Sequence, residues 1–324
     1  MSHPPKVLVA SASPDRVNHN AVLRQYVARG FMELLGPSQV IESSFDRSEA
    51  AAREFSPDVV LVFGSCMPGV CDYTRLRRYC DQRGAALFFW LHDDPYEFDF
   101  NYKILPYADA VFSNDRWAVS HIDHPHVLHL PLAADRLAHF CPLGAQRARD
   151  LFFCGAAFPN RVQLLRDLQT PLGGMHVEVF GPDWPADLCF AQAGRLANEA
   201  LPAYYAASLV TLNVGRRFNL ANAKYQLDAS TPGPRTFEAA MAGAVQCLFV
   251  EGAEIEDYFV PGQEILLFDT PDELRLLIEE LRDVPARRES ISAAAQARAM
   301  RDHTYASRAR TICALYTALL EQAG

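Results

Sequence analysis

The chain has no uninterrupted apolar run near the roughly 20 residues a membrane-spanning helix needs, so no membrane span is expected. It also lacks any C-x-x-C pair. Its 8 cysteines, Cys66, Cys71, Cys80, Cys141, Cys154, Cys189, Cys247 and Cys313, are scattered and mostly sit in apolar segments. That pattern speaks against a disulfide framework and for reduced, partly buried thiols in a cytoplasmic protein. Residues 1–6 do not have the layout of a signal peptide, which fits the same expectation. Positive charge is not in excess. A formal net charge of -9 argues against non-specific nucleic-acid binding, but leaves room for a local basic pocket that takes a phosphorylated small molecule. Internal repeats and low-complexity tracts are absent as well. What is present is an ordinary globular composition, 50% apolar and 21% charged over 324 residues, a length that suits two domains.

Along the chain, short continuous apolar runs alternate with helical periodicity. Residues 6–11 read as a strand, and Val22, Tyr26, Val27, Phe31, Leu34 and Leu35 mark a helix that stops at Gly36-Pro37. The polar loop over 11–20 between them should face a ligand, because such sheets bind at the carboxyl ends of their strands. Strands follow at 58–64, 86–91, 110–113 and 127–130, with a helix over 73–83. A second series of strands covers 151–155, 177–181, 209–214 and 245–250, with a helix over 161–168. Helices over 273–281, 287–299 and 305–322 complete the chain. This alternation predicts α/β architecture: two Rossmann-like, doubly wound parallel sheets, each covered on both faces. Strand character lapses over 142–150. The expected domains are therefore 1–145 and 146–304, with a last helix over 305–324 that crosses back to the first domain.

One block carries most of the chemistry: Ser230-Thr231-Pro232-Gly233-Pro234-Arg235-Thr236-Phe237-Glu238, followed by small helix formers as far as Gly243. Pro232, Gly233 and Pro234 predict a turn with uncommitted amides, and 237–242 predicts a helix with Glu238 in its first turn. An arginine next to a helix N-terminus is a phosphate site, and the glutamate is suited to a sugar or ribose diol.

With these pieces in view, the chain resembles the CgeB-type, spore maturation protein B-like glycosyltransferases, a bacterial group with the GT-B fold. The carrying motifs are Trp90-Leu91-His92-Asp93-Asp94-Pro95, Leu130-Pro131-Leu132-Ala133-Ala134-Asp135 and Phe153-Cys154-Gly155 with Asn160-Arg161. Phe180-Gly181-Pro182, the stretch 208–213, the block 230–243 and His303-Thr304-Tyr305 with Arg308 complete the set. The resemblance implies two domains facing a central cleft, with a UDP-linked sugar held by the second and an acceptor approaching from the first. It implies a metal-independent, hexosyltransferase-type reaction without a cofactor, and a glutamate at Glu238 that binds the donor ribose. Ser230 stands where many retaining relatives carry an acid that touches the donor sugar, so neither sugar recognition nor stereochemistry carries over. A degenerate transferase domain that binds a nucleotide sugar or a partner protein without turnover is the alternative reading.

The donor-binding candidates are Gly155, Arg161, Gly181, Arg216, Arg217, Ser230, Arg235, Phe237 and Glu238. Arg235 leads, because a guanidinium fork matches diphosphate geometry and stays charged. Gly155 and Gly181 end strands, where a missing side chain lets backbone approach a ligand. Trp184 is open to a place near a nucleotide base or to plain packing. Asp93, Asp94 and His19 are the catalytic candidates, each able to take a proton from an acceptor hydroxyl. The acceptor itself, whether glycan, protein or small molecule, is not written in the chain. The stretch 96–102, rich in aromatics and acids, either lines its pocket or packs beneath a loop. His121, Asp123, His124, His126 and His129 imitate a metal cluster, but Pro125 removes the helical i, i+4 geometry and no metal site is expected.

Overall fold

A computed structural model describes residues 3–17, 21–65, 71–192, 194–250 and 254–323. The chain runs β1 (Val7–Ser11), α1 (Ala21–Leu35), β2 (Val40–Ser43), α2 (Ser48–Phe55), β3 (Val59–Phe63), α3 (Thr74–Arg83), β4 (Ala86–Leu91), β5 (Ala110–Ser113), α4 (Arg116–Val119), β6 (Val127–His129) and α5 (Arg136–His139). It continues through β7 (Arg149–Cys154), α6 (Pro159–Asp167), β8 (Val177–Phe180), α7 (Leu201–Ala206), β9 (Ser208–Asn213), α8 (Pro234–Met241), β10 (Gln246–Phe249) and β11 (Leu266–Phe268). Helices α9 (Pro271–Asp283), α10 (Pro285–Asp302) and α11 (Tyr305–Ala323) close the chain. Two compact units emerge, one of Met1–Asp135, Asn219–Ser230 and Thr304–Gly324, the other of Arg136–Phe218 and Thr231–His303.

The first unit holds a six-stranded parallel sheet in the order β2-β1-β3-β4-β5-β6. Its strands are apolar throughout because both faces are covered: Leu8, Val60, Leu87, Phe89 and Val111 pack on one side, and Phe63, Phe88, Trp90 and Phe112 are equally buried. Helix α1 lays Leu23, Tyr26, Val27 and Phe31 inward at helical spacing. It meets α11 so closely at Gly30 that a Cβ there would collide with the Tyr305 backbone. Arg308 of α11 donates to the carbonyls of Pro131 (2.8 Å) and Leu132 (3.2 Å), which fixes the helix to the segment after β6.

The second unit holds a five-stranded parallel sheet in the order β11-β10-β9-β7-β8. Its core joins Leu151 and Phe153 of β7 and Val210 and Leu212 of β9 to Leu274, Ile278 and Leu281 of α9. Numbered within itself, this sheet has the same 2-1-3-4-5 strand order as the first. In such sheets the ligand crevice lies where the order reverses, here at the carboxyl ends of β1 and β3 in one unit and of β7 and β9 in the other.

Candidate active site

In the first unit, the ends of β1, β3 and β4 carry the polar residues. Ala12 follows β1 and donates its N–H to the Phe63 carbonyl, while Gly64 and Ser65 follow β3. Arg24 of α1 reaches the loop after β1, binding Ser11 and Asp15, and pairs with Glu42 at 3.1 Å. Its hydrogen bond and charge hold the Asp15 carboxyl below the usual range. His19 lies outside the described residues.

Three consecutive side chains after β4 have three different environments. His92 is 6% exposed, and its Nδ1 lies 3.4 Å from an Asp93 carboxylate oxygen. Its Nε2 is buried without a hydrogen-bond partner among the described residues, on the side of Gly64. Burial opposes the imidazolium, yet the Asp93 charge and hydrogen bond outweigh it, and the His92 pKa is raised. Asp93 is the accessible member, with its side chain 24% exposed, and it accepts a hydrogen bond from the Ser65 hydroxyl at 3.0 Å. Asp94 is buried: Oδ1 accepts from Asn101 (2.8 Å), Oδ2 from the Ser113 hydroxyl (2.6 Å), and its N–H donates to Asn114 (2.9 Å). Burial pushes the Asp94 carboxyl up to about 6. Asp94 therefore ties β4 to β5, with both carboxylate oxygens engaged in hydrogen bonds. His92, missed as a candidate, is the residue that backs Asp93.

The stretch after Asp94 packs beneath a loop. Asp99 accepts from the N–H groups of Ala223 (2.6 Å) and Lys224, the Tyr96 carbonyl accepts from Leu220 and Ala221, and the Phe98 and Tyr225 rings meet edge to face at 5.5 Å. The same segment brings Ser230 onto Asp115, with its N–H at 2.7 Å and its hydroxyl at 3.2 Å from one oxygen. Asp115 also caps α4 through Ala118 N–H. Ser230, 2% exposed, thus has a structural task in the first unit.

In the second unit, β7 and β9 end in an aromatic and basic cluster. Phe158 and Phe218 stack with ring centroids 5.6 Å apart and planes 14° from parallel. The Arg216 guanidinium lies 5.1 Å from the Phe158 ring, and its Nε donates to the Phe218 carbonyl. Arg161 spans the two strand ends: Nε donates to Gly215, a terminal nitrogen to Val214, and the other to Ala156. Arg217 is exposed, with its N–H held by Asn160. Arg161 thus braces the loops, and Arg216 and Arg217 supply the more open charge. At Gly181, where φ is +140°, a Cβ would collide with the Gly155 carbonyl, which also accepts from Trp184 Nε1 at 3.1 Å. The Gly155–Gly181 pairing is explained by this backbone approach, and Trp184 packs edge to face on Phe153.

Helix α8 starts three residues before the sequence implies. Pro234 sits at the first helical position, where its missing N–H costs nothing and its fixed φ suits the turn. Arg235 is consequently inside the helix and Glu238 lies beyond its first turn. Asn213, the last residue of β9, donates to the Thr236 hydroxyl at 2.8 Å and moors the helix to the strand end. Arg235 donates to Glu238 at 3.2 Å, and the Glu238 carboxylate also lies 3.7 Å from His139 of α5. The Arg235 side chain is 42% exposed and that of Glu238 only 6%, so the arginine is the half that meets solvent. Burial works against the Arg235 charge, but the Tyr205 phenol and Glu238 outweigh it and raise its pKa. Cys154 at the end of β7 feels the same guanidinium. Phe237 is fully buried among Tyr258, Phe259 and His303, with the His303 ring centroid at 4.9 Å. It is the hydrophobic anchor that holds α8 down.

Among the described residues, no three His, Cys, Asp or Glu side chains gather where they would hold a metal ion. Within the histidine run, His121 Nδ1 donates to Trp117 and His124 Nε2 to Ala108. No helix among the described residues is long and apolar enough to cross a membrane.

Residues 161–314 match the family described as glycosyl transferase-like. Among solved structures, HepE of Anabaena in complex with UDP-glucose superposes with a TM-score of 0.65 at 11% identity, covering 97% of this chain and 100% of that one. Sucrose-phosphate synthase of Thermosynechococcus elongatus gives 0.64 at 11% identity, covering 98% and 100%. The chain has the GT-B glycosyltransferase fold. A glycosyltransferase of Rickettsia africae shares the GT-B likeness at a TM-score of 0.63 and 11% identity, covering 98% and 99%. No curated protein matches the sequence. The glycosyl transferase-like match includes Arg161, Arg216, Arg217, Arg235 and Glu238 and leaves out His92 and Asp93.

Proposed function

We propose that the protein is a metal-independent, hexosyl-type glycosyltransferase that moves a sugar from a UDP-linked donor to an acceptor hydroxyl. The observation that carries this reading is the glycosyl transferase-like match, which spans α8 with its half-exposed Arg235 within a GT-B fold. The neighbour HepE has been seen with both UDP-glucose and UDP, which supports a uridine donor. Arg235, assisted by Arg216 or Arg217, binds the diphosphate and stabilises the charge that builds on the leaving group. Glu238 holds Arg235 in place and is the acid nearest to it for a ribose hydroxyl. As the acceptor oxygen bonds to the anomeric carbon and the bond to the diphosphate breaks, the acceptor proton passes to Asp93. His92 orients that carboxylate, and UDP leaves with the bonding electrons. In this reading the second unit holds the donor and the first activates the acceptor. A CgeB-type bacterial affiliation and a cytoplasmic site of action belong to the same proposal and rest on the sequence motifs and the scattered cysteines.

The test is release of UDP from a panel of UDP-sugars by the purified chain, with and without candidate acceptors. Slow hydrolysis without acceptor, abolished in Arg235→Ala, is the expected result. A well-folded protein that binds UDP but never releases it from any sugar would establish the non-catalytic alternative instead.

A further inference from the structure

At the opposite, amino-terminal edge of the second sheet lies a cleft of about 230 Å³ that glycosyl transfer does not use. Arg147, Arg149, Asp150, His176, Arg282 and Arg288 line it, four of them arginines. Two of these charges are already met. Arg149 pairs with Glu178 at 2.6 Å, and Arg282 with Asp150 at 2.8 Å. The other two are met less well. Arg147 has no carboxylate within ion-pair distance among the described residues, and the nearest acid to Arg288 is the exposed Glu289 at 3.5 Å. The Nε atoms of both are buried without a hydrogen-bond partner among the described residues. Capping accounts for part of Arg147, since one terminal nitrogen donates to Ala206 at the end of α7 and to Ser208 at 2.8 Å. It leaves Nε unexplained and says nothing of Arg288. Burial, and then repulsion from Arg288, push the Arg147 pKa down, and the nearby Glu289 offsets them only in part.

We infer that this cleft binds a small phosphate-bearing anion between Arg147 and Arg288, at a site separate from the sugar donor. Guanidinium forks favour phosphate oxygens through paired, charge-assisted bonds. The volume is below the roughly 300 Å³ at which sites for drug-sized ligands begin, so it suits a pyrophosphate or sugar phosphate and not a nucleotide sugar. Strand β9 separates the cleft from the cluster at Arg216 by its own length, about 20 Å for six residues.

Inorganic pyrophosphate is the probe, titrated calorimetrically at constant ionic strength into the full chain, into Arg235→Ala, and into Arg235→Ala carrying Arg288→Gln or Arg147→Gln, each checked for native melting. The expected result is a saturable site that survives in Arg235→Ala and that Arg288→Gln or Arg147→Gln, each added to Arg235→Ala so that the donor cluster does not contribute, weakens at least tenfold. If Arg147→Gln melts early because its bonds to Ala206 and Ser208 are lost, Arg288→Gln alone decides. Absence of saturable binding, binding that persists when Arg288→Gln is added to Arg235→Ala, or binding lost in Arg235→Ala would each overturn the inference. None of these outcomes depends on whether UDP binds or turns over.

Discussion

The two sheets share one topology and have opposite chemistry at the same place in it. In the first unit the strand ends gather His92, Asp93 and Asp94, two of them buried and one open to solvent. In the second they gather Arg161, Arg216 and Arg235 with a stacked pair of phenylalanines. A parallel sheet supplies the crevice in both, and the residues placed at its carboxyl edge decide what enters: an acid set suited to receiving a proton, and a cationic, aromatic set suited to a nucleoside diphosphate. The contrast also runs within each set. Asp94 and Phe237 are buried beside more open neighbours, Asp93 and Arg235, a difference that sequence adjacency does not show.

The largest effect expected is at the cationic edge. Arg235→Ala should lower kcat/KM for donor turnover by about 100- to 1,000-fold, the loss typical of removing one preorganised charge from a leaving group. Steady-state kinetics with a saturating acceptor or water would measure it. Asp93→Asn should lower kcat by about 100-fold while leaving the Kd for UDP unchanged, which separates proton transfer from donor binding. A parallel fall in UDP affinity would dissolve the contrast between the units.

Asp94 sharpens the contrast through stability. Its folded pKa of about 6 lies above the ordinary carboxylate value of 3.8, so the folded state binds this proton more tightly than the unfolded chain does. The contribution is fully present below the unfolded value and is lost as pH rises through about 6. Denaturant unfolding between pH 4 and 7.5 should therefore show a decline in the wild type that is absent in Asp94→Asn. Below pH 4, Asp94→Ala should cost about 1–3 kcal/mol, because the Ser113 and Asn101 donors lose a buried acceptor, and the cost should shrink as pH rises through about 6. The smallest effect belongs to Ser230→Ala, about 1 kcal/mol of stability from its bond to Asp115 with turnover nearly unchanged. A large loss of activity would return Ser230 to the donor.

Much of this was legible in the sequence. Strands buried on both faces, such as 59–63 and 86–91, announce themselves as continuous apolar runs. Short or mixed elements do not: β2 has only Val40 and Ile41 to mark it, and β11 is three residues long. The start of α8 was misread because Pro234 looks like a helix breaker, while at the first helical position it is a helix starter. At the candidate site the residue types at strand ends were readable, but their burial was not. Trp90-Leu91-His92-Asp93-Asp94 contains no local sign that the second aspartate turns inward to Ser113 and Asn101 while the first stays open. Nor does the sequence reveal that 219–230 belongs with the first unit, because the bonds of Asp99 and Asp115 to that segment span more than a hundred residues.

The central claim is that the cationic edge of the second unit holds the diphosphate of a nucleotide donor and the acidic edge of the first does not. Calorimetric titration of UDP into the wild type, Arg235→Ala and Asp93→Asn tests it most directly. The account predicts saturable binding that Arg235→Ala weakens by at least tenfold and Asp93→Asn leaves intact. UDP binding unaffected by Arg235→Ala, or abolished by Asp93→Asn, would contradict it.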